Sequence, residues 1–296
     1  MCAACGEVCS RLSRHALRYI GNMNLRRGVF LRRHVTFSYF ALTFAISWAG
    51  ALAVAAPHLL RREALPKFTG ILMFPAMLLG PCLTGIALTA MLGGKAGLRD
   101  LARRMVRWRI PPSLYAAMLI PPVLIFGVLF GLEKFLSPVY APNLFPLGIL
   151  FGVPAGIAEE IGWTGFVYPK MAAQGDAFGA AVLLGLLWSC WHLPVVNYLG
   201  TATPHGDYWL QYFLAFSTVM TAMRVLIAWV YTNSGSVLLA QLLHVSSTGS
   251  LVVLSATRVS AGQEAMWYLL YGALLWVAVA AVVSHCGNGL RLRRLA

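Results

Sequence analysis

Acidic side chains are scarce in this sequence: nine Asp and Glu stand against 23 Lys and Arg, and charged residues of all kinds make up 11% of 296. Beside 59% hydrophobic residues, so little charge excludes a water-soluble domain of this size, which carries about a quarter of its residues charged. Long linkers, low-complexity tracts and a soluble domain are missing. No repeat relates the two halves, which argues against a transporter with buried charges as an ion path. Cysteine is sparse: Cys82, Cys190 and Cys286 are isolated, and no disulfide framework follows. Cys2, Cys5 and Cys9 lack a clear fourth ligand for a metal, and no apolar segment precedes Cys2 as a lipoprotein signal would require.

What is present is a series of apolar runs long enough to cross a bilayer core of about 30 Å. They fall near residues 35–56, 70–92, 113–132, 145–168, 177–197, 209–231, 236–256 and 266–284. The expected fold is all-α, a polytopic membrane helix bundle of about eight transmembrane helices, multi-pass and integral to a bilayer. The net charge of +14 would suit nucleic acid only if the basic residues shared one folded surface. They lie instead in short blocks between apolar runs, so no nucleic-acid partner is expected. With the head placed in the cytoplasm, seventeen Lys and Arg fall on that side and five on the other, with Arg224 left inside a span. Both termini are therefore expected inside.

The domain reading is a basic, disordered cytoplasmic segment over residues 1–33, a transmembrane bundle over 34–285, and a basic tail over 286–296. A start at Met23 would delete the head. The stretch Gly97 to Arg109 sets Leu98, Leu101, Met105 and Trp108 near one helical face and arginines on the others. It reads as an amphipathic helix on the cytoplasmic leaflet, anchored by anionic lipid and its apolar stripe.

Against this background, Ala158-Glu159-Glu160-Ile161-Gly162-Trp163-Thr164-Gly165-Phe166 places two adjacent carboxylates inside an apolar run. Each ionisable side chain at the bilayer centre costs about 2.5–3.5 kcal/mol on insertion scales. Glu159 and Glu160 precede the turn at Gly175 by 16 and 15 residues, and His192 follows it by 17. At a rise of about 1.5 Å per residue these groups share a depth on adjacent helices. Arg224 and His244 each lie ten residues from Ser234 and share a level of their own; Ser247 and Thr248 follow His244 on its face. A buried His often only satisfies a neighbour, and Arg224 can simply cancel one glutamate's charge. Two Glu, two His and an Arg on four helices favour a functional site over that plainer account.

A carboxylate beside an imidazole in a dry pocket can take a proton from water as it attacks a carbonyl, which suits Glu159 with His192. His244 with the hydroxyl of Thr248 or Ser247 can donate to the resulting oxyanion. A metal held by His and Glu is the competing mechanism. The zincin pattern His-Glu-x-x-His is absent and the candidates come from separate helices, so no metal or other cofactor is expected.

Residues 158–170 resemble the first motif of the CPBP family, the CAAX proteases and bacteriocin-processing intramembrane endopeptidases, in its bacterial branch. In the same order, Gly185 to Pro194 is similar to the second motif, Arg224 to Tyr231 to a run found in bacterial members, and Gly235 to His244 to the approach to the last motif. Together they cover about residues 97–250. The resemblance implies an eight-helix fold in a bacterial plasma membrane and glutamate-dependent hydrolysis of a membrane-associated peptide or protein. It implies that Glu159 and His192 activate water, that Glu160 is the paired acid, and that His244 helps bind the oxyanion. Trp163, Ser247 and Arg224 would support them. Two positions depart from the family pattern. Thr164 stands where Arg is common, leaving Arg224 to pair Glu160, and Thr248 stands where Asn or Asp is usual, changing one oxyanion donor to a hydroxyl. The alternative is an inactive scaffold or binding protein of the same fold.

Overall fold

The computed structural model describes residues 34–198 and 204–292. The basic head, with Cys2, Cys5, Cys9 and Met23, and the last basic residues, Arg293 and Arg294, lie outside the described residues. The chain divides into two units, Met1–Ala41 and Leu42–Ala296. Of the first, only the opening turns of helix α1 (Val35–Leu60) are described.

All regular structure among the described residues is helical, as a bilayer demands of segments that must satisfy their own backbone groups. After α1 come α2 (Lys67–Met105), α3 (Pro112–Phe135, with one tight turn inside it), α4 (Ile149–Gly162), α5 (Tyr168–Ala172), α6 (Ala177–Trp191), α7 (Trp209–Ser234), α8 (Val237–Leu254) and α9 (Ala261–Cys286). Six of these, α1, α2, α3, α7, α8 and α9, are long and apolar enough to cross a membrane, and the protein is an integral membrane protein. The fourth and fifth expected spans differ from the rest. Helix α4 passes at Trp163–Val167 into a π-helical turn before α5, and α6 is only 15 residues long. Pro194 explains the early stop of α6: a proline disfavours helix in the residue before it, and Leu193–Tyr198 continues as a 3-10 turn.

The glutamate-bearing α4 is packed backbone to backbone. A Cβ on Gly152 would lie 2.7 Å from Gly249 N, and one on Gly156 would lie 2.8 Å from the Gln241 carbonyl, both on α8. Small residues at such crossings let membrane helices approach closely where lipid supplies no hydrophobic drive. Helix α7 packs between α6 and α9 and is buried without a break from Val219 to Ala228. Gly235 closes α7 in the left-handed conformation, φ 61°, and Ser236 caps α8 through its side chain, so the two helices form a tight hairpin.

The arginine-rich stretch is helical as far as Met105 and continues α2 beyond a break at Gly94, where φ is 57°. Its arginines do more than face lipid. Arg104 donates from Nη2 to the Gly165 carbonyl and from Nη1 to the Tyr231 hydroxyl, each at 3.0 Å. Arg107 donates to the Ser234 carbonyl at 3.1 Å. Leu101 of the apolar stripe is buried near Gly165, whereas Trp108 is exposed. This limb therefore ties the π turn to the end of α7. A carboxylate that the sequence placed in a connecting loop is also buried: Glu264, in the first turn of α9, lies 3.1 Å from the ring of His205 just before α7.

Candidate active site

Adjacent residues on a helix point about 100° apart, so two neighbouring carboxylates address different partners. Both are essentially inaccessible, Glu159 at 1% and Glu160 at 0%. Glu160 turns toward α7 and α8. Arg224 donates to it from both terminal nitrogens, Nη1 to Oε2 and Nη2 to Oε1, each at 2.9 Å. His244 Nδ1 meets Oε1 at 2.8 Å, and the Thr164 hydroxyl, four residues on in the π turn, donates to Oε2. This is a bidentate guanidinium pair with its remaining lone pairs satisfied, the arrangement that lets charges persist in a low-dielectric interior.

Glu159 turns instead toward α6. Its Oε2 accepts from the indole nitrogens of Trp188, at 2.6 Å, and Trp163, at 3.1 Å. No cation hydrogen-bonds to it among the described residues. His192, the residue that ends α6, has Nδ1 at 2.8 Å from the Trp188 carbonyl. A carbonyl only accepts, so Nδ1 carries the proton and a neutral ring keeps its free lone pair on Nε2. The ring is enclosed by Trp188, Trp191 and Phe216, with centroids 5.5, 4.7 and 5.2 Å away. Trp48 on α1 donates to the Trp191 carbonyl at 3.0 Å, holding the end of α6 in place.

Glu160, Thr164, Arg224 and His244 are thus brought together by direct bonds, while Glu159, Trp163 and His192 meet around Trp188. Thr248 and Ser247 share α8 with His244. Ser247 is buried and neighbours Tyr271 of α9. Thr248 is half-buried and makes no hydrogen bond to the cluster among the described residues. Among the described residues, no group of three His, Cys, Asp or Glu is arranged to hold a metal.

Sequence reasoning met Trp188 only as the aromatic residue four positions before His192 in the second motif and gave it no role in the site. Besides bonding Glu159 it lies under the Arg224 guanidinium, 4.3 Å from carbon to ring centroid, and 5.0 Å from the ring of His244. Its position four residues before His192 was the available signal, since i and i+4 share a helical face.

Comparison with known proteins adds two findings. Residues 141–249 match the family described as type II CAAX prenyl endopeptidase Rce1-like. Over 112 residues, 36% of its length, the chain is 30% identical to a protein named CAAX prenyl protease 2 from Methanococcus maripaludis. It covers 39% of that relative's length. This segment, which holds every residue of the site, is similar to the CAAX-protease family that its motifs resemble.

Proposed function

We propose that the protein is an intramembrane endopeptidase that hydrolyses a peptide bond of a membrane-associated substrate with water activated by Glu159 and His192. The observation that carries this reading is the unequal treatment of two neighbouring carboxylates. Glu160 is committed to Arg224 and His244, whereas Glu159 is oriented by two neutral indoles and bonded to no cation. A carboxylate held in this way keeps its proton-accepting capacity in a site from which bulk water is excluded.

In this mechanism a water between Glu159 and His192 loses a proton as its oxygen attacks the scissile carbonyl carbon. The same proton then passes to the departing amide nitrogen as the carbon–nitrogen bond breaks. The developing oxyanion needs donors. His244 supplies one from Nε2 when its ring carries both protons, a charge that Glu160 on Nδ1 would balance, and the Thr248 hydroxyl supplies another. Arg224 and Thr164 hold Glu160 in register, and Trp163 helps to hold Glu159.

The relative's name points to prenylated C-terminal peptides as the first substrate class to test, since a Cys-a-a-X terminus is where the prenyl group is attached. In proteoliposomes, the protein should cleave an internally quenched, farnesylated Cys-a-a-X peptide. Glu159→Ala should abolish cleavage without lowering the melting temperature by more than a few degrees. Full turnover by Glu159→Ala would dispose of the mechanism.

A further inference from the structure

We infer that Trp188 is the positioning residue of this site, aiming both proton acceptors at one point: its indole N–H fixes the Glu159 carboxylate, and its carbonyl fixes the ring of His192. The inference rests on the endopeptidase reading above.

Both indoles that bind Glu159 donate to the same oxygen, Oε2, and the Trp188 bond is the shorter, 2.6 against 3.1 Å. The other oxygen, Oε1, is left without a hydrogen bond among the described residues, and it is the one able to take a proton from water. On the imidazole side, the Trp188 carbonyl occupies Nδ1 at 2.8 Å, which leaves Nε2 as the basic atom. One residue therefore sets which atom of each group is available. Its ring has a third contact, beneath Arg224 at 4.3 Å, so the guanidinium that binds Glu160 rests on the side chain that holds Glu159. With 2% of its surface exposed, Trp188 has little freedom to move, and its carbonyl belongs to the helix α6 backbone. A bond that holds a reacting group in place matters because a displacement of about 1 Å there can cost about 100-fold in rate.

Trp188→Phe retains an apolar ring and the backbone carbonyl while removing the N–H. It should lower kcat by about 10- to 100-fold, the range expected for a lost hydrogen bond to a charged group. KM for the farnesylated peptide should stay within about two-fold, because the indole orients the acid and does not bind substrate. Trp276→Phe removes another indole donor, bonded to the Thr218 carbonyl at 3.2 Å, and should leave kcat unchanged. A readout independent of turnover is the indole nitrogen–proton resonance of Trp188 in micelles. It should lie downfield and move on Glu159→Gln, while that of Trp276 stays in place. A Trp188 signal indifferent to Glu159→Gln would overturn the inference whatever the activity. So would wild-type kcat in Trp188→Phe beside an inactive Glu159→Ala, an outcome that leaves the endopeptidase reading standing. An active Glu159→Ala would remove that reading itself.

Discussion

Arg224 Nη2 lies 2.9 Å from Glu160 Oε1, and the two side chains, 1% and 0% exposed, come from segments 64 residues apart in sequence. A second bond at 2.9 Å joins Nη1 to Oε2, making the pair bidentate. It is a buried ion pair within the apolar core, and it locks α4 to α7.

Removing one partner should therefore harm the protein more than removing both. Arg224→Met leaves a buried carboxylate without its cation and should cost about 3–5 kcal/mol. Adding Glu160→Gln should restore a large part of the loss. Thermal unfolding in detergent, followed for both single variants and the double variant, gives the coupling directly. Equal, additive losses would mean that the pair is not the lock described here.

The hydroxyl at Thr248 offers a test of the second oxyanion donor. Thr248→Ala should lower kcat by about ten-fold with KM little changed, and Thr248→Asn, which restores a side-chain amide donor, should match or exceed the native rate. Cleavage of the farnesylated peptide measures both. An Ala variant as fast as the native protein would exclude the hydroxyl from the reaction.

Close approach of α4 to α8 predicts a sharp size limit. A Cβ at residue 152 would sit 2.7 Å from backbone atoms of Gly249 and Val245, which cannot rotate away. Gly152→Val should destabilise the bundle by about 3 kcal/mol or more, at the upper end of overpacking costs. The same change at Gly127, where nothing lies within 4 Å, should be tolerated. Yield of monodisperse protein and melting temperature report the difference.

The limb beyond Gly94 should come loose when its arginine ties are cut. Arg104→Ala removes the bonds to the Gly165 carbonyl and the Tyr231 hydroxyl. Hydrogen exchange over residues 95–107 should quicken, because that limb has few other buried contacts. Activity should fall less than in Glu159→Ala, since Arg104 reaches the backbone of the π turn and not the site itself. Unchanged exchange would place the limb's stability in lipid contacts alone.

Legibility divided along physical lines. The apolar runs announced membrane helices because the bilayer imposes a length and a composition on each, and six were found at that length. The two exceptions, α4 with its π turn and the short α6, carry the carboxylates and His192. A π turn inserts an extra residue per bond and leaves no composition signal. Counting residues from the two turns placed Arg224 level with His244, and both reach Glu160. The helix around Arg104 was readable from its pattern, but its bonds to Gly165 and Tyr231 were not, because spacing alone does not distinguish a lipid-facing arginine from one that meets a carbonyl. Glu264 falls between two of the apolar runs, and its pairing with His205, 59 positions away, is likewise recorded by no local pattern.

Sequence by itself determined that this chain lives in a bilayer, that its buried ionisable groups are few, and which residue types are available for acid–base work. Each follows from transfer free energy, a property that composition and spacing record. Only the tertiary structure decided how those groups are partnered: which glutamate takes the arginine, which oxygen and which ring nitrogen stay open, and that a tryptophan stands between them. The reason is directional. Hydrogen bonds depend on angles set where four helices cross, and no single segment encodes the rotation of its neighbours.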